Sequence, residues 1–155
     1  MRRSYRIFAI AAALLALTAV AGVASARPGG VPAIPLNAEQ ETGDVASDGS
    51  GFFSYSISGN TLCYTLEVRD LTAAPVAAHI HPGPRNVAGP VAVPLLTPPA
   101  ATSTVSDCIT ASADGVMTPA ELAAIAANPR AFYVNVHTPD FPNGAVRGQL
   151  FARAR

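Results

Sequence analysis

The chain contains three histidines, His79, His81 and His137, and their placement carries most of the chemistry its sequence suggests. Two of them lie in Ala78-His79-Ile80-His81. In a strand, residues two apart point to the same face about 7 Å from one another, so both imidazoles can reach one ion while Ile80 packs behind them. His137 ends the segment Tyr133-Val134-Asn135-Val136-His137, in which Val134 and Val136 face one way and Tyr133, Asn135 and His137 the other. If the two strands converge, three neutral imidazoles meet. That donor set suits copper, zinc or nickel and leaves one position open. The alternative is structural: the histidines hydrogen-bond to loop carbonyls and pin strand ends.

Other reaction chemistries find little here. Ser54, Ser56, Ser103 and Thr138 sit in no nucleophile elbow or paired motif. No glycine loop that could cradle a phosphate occurs. The stretch from Asp114-Gly115 to Glu121 resembles the end of a calcium loop, but Thr110 and Ser112 would stand at its first and third positions. The oxygens a hard cation needs are then missing.

The elements that must position the histidines read as short strands. Phe52 to Ile57 and Leu62 to Val68 alternate apolar and polar residues around Ser58-Gly59-Asn60-Thr61, which is turn chemistry, so they form a hairpin. Ile34 to Glu39, Ala77 to His81, Val91 to Leu96, Ser103 to Ile109, Phe132 to His137 and Ala145 to Phe151 are the other strand candidates. Segments dense in Gly, Pro, Asn and Asp separate them. The expected fold is mainly β, a Greek-key sandwich or barrel of about eight short antiparallel strands. One helix interrupts it near residues 118–127. Thr118-Pro119-Ala120-Glu121 is a capping box with proline at the first helical position, and Asn128-Pro129 stops the helix.

The first 26 residues have the form of a secretory signal peptide: Arg2, Arg3 and Arg6, then an apolar stretch from Ile7 to Val23, then Ala24-Ser25-Ala26. Cleavage there leaves no stable membrane span. Residues 27–35, broken by Pro28, Gly29, Gly30, Pro32 and Pro35, read as a flexible leader, and residues 36–155 as the domain. Export to the periplasm, the cell surface or the medium favours a disulfide between the two cysteines, Cys63 and Cys108. Ten basic residues balance ten acidic ones over 155 residues. There is no lysine, and Arg2, Arg3 and Arg6 leave with the signal, so the body is mildly acidic. Such a chain offers nothing for nucleic-acid phosphates to release counter-ions against.

Four separated motifs resemble the chordin-type, or CHRD, domain. They are Ala78-His79-Ile80-His81-Pro82-Gly83, Gly89-Pro90-Val91, Tyr133-Val134-Asn135-Val136-His137-Thr138, and Pro142-x-Gly144-x-x-Arg147-Gly148-Gln149. The likeness runs from about Leu36 to Leu150. Ala145 stands where the family usually has an acid, and Pro129-Arg130-Ala131 where it has a glycine before the strand. The resemblance implies a secreted, non-catalytic binding protein whose partner is an extracellular protein or a metal ion. The pattern is more weakly similar to copper/zinc superoxide dismutase. That likeness implies copper at His79, His81 and His137, redox or dismutase-like activity, and an anion-attracting role for Arg147; the zinc-site histidines have no counterpart.

Overall fold

The computed structural model describes residues 33–151. The signal peptide expected over residues 1–26 and residues 27–32 of the leader lie outside the described residues. Eight strands form: β1 (Ile34–Asn37), β2 (Ser50–Ser58), β3 (Thr61–Arg69), β4 (Ala77–Pro82), β5 (Val93–Pro94), β6 (Ser103–Thr110), β7 (Phe132–His137) and β8 (Val146–Gln149). All pair antiparallel in a single sheet of order β5-β4-β7-β8-β1-β2-β3-β6. The fold is therefore mainly β as expected, with its strands in one curled half-barrel. β5 and β6 follow one another in the chain yet stand at opposite edges. The curl brings those edges near one another, and the Leu96 N–H, just past β5, donates to Tyr64 Oη of β3 at 2.7 Å.

Element ends follow local chemistry. β1 begins at Ile34, two residues inside the stretch read as a leader, because Ile34 is buried and pairs with Phe53. It stops at Asn37, where Ala38–Gln40 tightens into a 3-10 turn. β5 is shorter than its apolar run, since Pro90 and Pro94 remove ladder donors. α1 (Pro119–Ala127) forms with both halves of its capping box: the Glu121 N–H donates to Thr118 Oγ1 at 3.3 Å, and the Thr118 N–H to Glu121 Oε2 at 2.7 Å. It buries Leu122 and Ile125.

Strand alternation sorts side chains to two faces. Phe53, Tyr55, Leu62, Leu66, Val68, Ile80, Val134, Val136 and Val146 share the apolar core. Burial of each large aliphatic or aromatic side chain contributes about 1.5–3 kcal/mol. On the opposite face of β3 and β6, Cys63 and Cys108 are direct cross-strand partners and form a disulfide, with Cα atoms 4.0 Å apart. Thr61 with Thr110 and Thr65 with Ser106 extend that ladder through hydroxyl contacts of 3.0 and 2.9 Å. The short Cα separation marks a pair whose own N–H and C=O point away from the partner strand. The Cys108 N–H, on the free edge of β6, donates to Asp107 Oδ1 at 2.8 Å.

Candidate metal centre

β4, β7, β8 and β1 turn a polar row to the face opposite the core. His79 is registered against Asn135, Asn135 against Arg147, and Arg147 against Asn37. One step along, His81 lies opposite Tyr133, and Ala77 opposite His137. Because Ile80, Val134 and Val136 are anchored in the core, strand alternation leaves their neighbours no choice of face. The strands that carry the three histidines are thus adjacent, and one imidazole nitrogen from each lies within 4.8 Å of the other two.

The hydrogen bonds identify those nitrogens. His81 Nδ1 contacts the carbonyls of Gly89 and Pro90 at 3.0 and 2.9 Å, so it carries the proton and donates. Its Nε2 is buried and has no hydrogen-bond partner. His137 Nδ1 donates in the same way to the Pro142 carbonyl at 2.9 Å, which leaves Nε2 as a lone pair. That lone pair lies 3.1 Å from His79 Nδ1, so His79 holds a proton there. For all three to ligate, His79 must move that proton to Nε2, and its half-buried position gives the ring access to water. The donor set is then His79 Nδ1, His81 Nε2 and His137 Nε2. Two ligands on one ion at about 2.1 Å lie at most about 4.2 Å apart, so a shift of under about 1 Å in one ring completes the shell.

Electrostatics favour neutral rings. Burial, reinforced by the neighbouring His137 and His81, pushes His79 down to about 4. Burial also lowers His81 and His137, against the hydrogen bonds to Gly89, Pro90 and Pro142. Lone pairs are therefore available around neutral pH without competition from protons.

A surrounding frame holds His81. Its ring stacks on Tyr133, with centroids 5.0 Å apart and planes 7° from parallel. On the other side of Tyr133, Arg147 Cζ lies 3.2 Å from the ring centroid. Arg147, which the dismutase likeness put near the open position, is fully buried. Its Nη1 and Nη2 donate to the carbonyls of Val87 and Pro84 at 3.0 and 2.5 Å. Those contacts tie down residues 83–90, the loop whose Gly89 and Pro90 carbonyls accept from His81. Tyr133 Oη accepts from the Gly89 N–H at 3.1 Å, and Gln149 Nε2 donates to the carbonyls of Gly83, Arg130 and Phe132 at 2.8, 2.9 and 2.8 Å. Pro142, Arg147 and Gln149 of the last sequence motif each have a local task, and so does Gly144: its φ of 132° suits glycine, and a Cβ would strike the Glu41 carboxyl.

Glu41 was not singled out from the sequence, where it reads as one more acid in a loop. It is 2 % exposed. Burial pushes its carboxyl up to about 7, against the pull of Arg147 and of hydrogen bonds from the Thr42 backbone and the Asn135 side chain. The native state therefore binds this proton more tightly than the unfolded chain does. Stability from this group is full below about pH 4.5 and falls as pH rises to about 7, by roughly 3 kcal/mol at 1.4 kcal/mol per unit. Urea unfolding across that range is expected to show the loss in the wild type relative to Glu41→Gln. Parallel curves for the two proteins would remove Glu41 from the account.

A curled antiparallel sheet that presents three convergent histidines under a pinned loop defines a β-domain with a built imidazole site. The chain belongs to the CHRD domain family, which matches residues 33–150. No curated protein and no solved structure matches the chain.

Proposed function

We propose that the protein is an exported, non-catalytic binding protein that holds one transition-metal ion on His79, His81 and His137. The observation that carries the reading is His81 Nε2: buried, without a partner, and held in its tautomer by two carbonyls on the far side of the ring. A buried polar atom left unsatisfied is costly, and a metal ion supplies the missing interaction. Three neutral nitrogens with no thiolate or carboxylate in the set suit copper best, then zinc or nickel. Export is supported by the signal-like first 26 residues and by the disulfide, which persists in an oxidising compartment. Among the described residues no helix is long and apolar enough to cross a membrane. The redox or dismutase-like alternative has weaker support, because the buried Arg147 turns its guanidinium to the backbone carbonyls of Val87 and Pro84.

The test is metal content. The protein, exposed to equimolar copper, zinc and nickel and then desalted, is expected to retain about one equivalent, chiefly copper, and His79→Ala or His81→Ala to lose it. Retention unchanged in both variants, or none in the wild type, would return the histidines to the scaffold.

A further inference from the structure

The charge nearest the three histidines is not one of their own. Neutral imidazoles bring no negative charge to an ion, and His79, His81 and His137 form a group without an acid. Behind His81, across the single thickness of the Tyr133 ring, stands the fully buried guanidinium of Arg147. Among the described residues Arg147 forms no ion pair; its Nη1 and Nη2 donate to two backbone carbonyls, and its buried Nε has no hydrogen-bond partner. An arginine keeps its positive charge under all ordinary conditions. Glu41 is the acid facing it, and burial raises that carboxyl to about 7, so below neutrality it offsets little of the charge. Asp44 and Asp140 line a surface pocket with Pro142, but both are exposed and screened by solvent. The Arg147 charge already helps to lower the pKa of His81.

We infer that Arg147 sets the charge selectivity of the site, so that it takes a monovalent closed-shell cation of the Cu(I) or Ag(I) kind in preference to a divalent one. The inference rests on the three-histidine reading above. A fixed positive charge opposes each unit of ionic charge equally, so a divalent ion is opposed twice as strongly as a monovalent one. At an effective dielectric near 20 and a separation of roughly 8–10 Å, partly screened because two of the three histidines are half-exposed, the discrimination is on the order of tenfold. Arg147 acts on the ion through space and on His81 through the loop. The two roles separate, since a geometric fault weakens every metal and a charge effect changes their ratio.

The experiment measures Ag(I) and Zn(II) affinities near pH 6 in chloride-free buffer for the wild type, Arg147→Met and Arg147→Lys. In Arg147→Met, Zn(II) should gain about tenfold on Ag(I) relative to the wild type. In Arg147→Lys, which keeps the charge and loses the forked contacts to Pro84 and Val87, both affinities should fall and the ratio hold. An unchanged ratio in Arg147→Met overturns the inference while leaving the metal site standing; a wild type that binds neither ion overturns both. Should the Arg147 variants fail to fold, Glu41→Gln near pH 8 gives the converse measurement. The wild-type carboxylate is ionised there and offsets Arg147, so its removal should move the ratio about tenfold toward Ag(I). No movement again overturns the inference.

Discussion

Replacing Cys63 and Cys108 together by serine is expected to lower the unfolding free energy by about 4 kcal/mol, a fall in Tm of roughly 15–20 °C for a domain of this size. The two residues are 45 apart in sequence, so the bond closes a long loop in the unfolded chain. It lies on the outer face of β3 and β6, away from the apolar core, with Cys108 exposed. Losing it therefore opens no cavity, and the effect comes chiefly from the freed unfolded ensemble. Five strands separate β6 from β4 across the sheet, so metal retention in the folded variant should be unchanged. Urea titrations of the two proteins check this. A difference below about 1 kcal/mol would mean that the β3–β6 ladder already holds the edge and that the loop-entropy account fails.

The second large effect is at Gly89. A Cβ built there would stand 1.6 Å from the Pro82 carbonyl oxygen, so alanine cannot be accommodated without displacing the loop from β4. The displaced segment contains the N–H that bonds Tyr133 and the carbonyls that receive the His81 proton. Gly89→Ala is expected to cost 3 kcal/mol or more, by roughly the scale of a lost buried hydrogen-bond network plus backbone strain. It should also weaken metal retention at least about tenfold, as the loss of an outer-shell partner does. Gly59→Ala is the comparison: its φ of 58° carries strain of about 1–2 kcal/mol, but a Cβ there meets nothing within 4 Å, and metal retention should hold. Thermal melts and metal content of both variants decide it; a Gly89→Ala protein that melts like Gly59→Ala and keeps its metal would show the loop to be dispensable.

The histidine site was legible from the sequence because strand alternation is a strict rule. Once Ile80, Val134 and Val136 are read as core, His79, His81 and His137 must share the other face. The structural alternative was equally legible, and it holds alongside the metal reading: His81 and His137 do bond to loop carbonyls, each through the nitrogen a metal does not need. The helix was readable because its capping box is local chemistry. The single curled sheet was not, since which strands become edges depends on long-range pairing that alternation cannot encode. Arg147 was visible as a motif residue, but its direction was not: whether an arginine faces solvent or lies under a loop depends on where residues 83–90 cross the sheet. Glu41 carried no local signal at all. Its burial comes from Gly144, more than 100 positions later in the chain, which leaves room for the carboxyl.

The bond from the Cys108 N–H to Asp107 has a consequence for solubility. β6 is an eight-residue edge whose outward amides would otherwise template a strand from another copy. Asp107 already occupies one of those donors, and an incoming strand would have to displace its carboxylate and take a charge out of water. The other edge, β5, is two residues long and carries Pro94, so it too offers little to add to. An open half-barrel can thus stay dispersed at high concentration without closing its sheet.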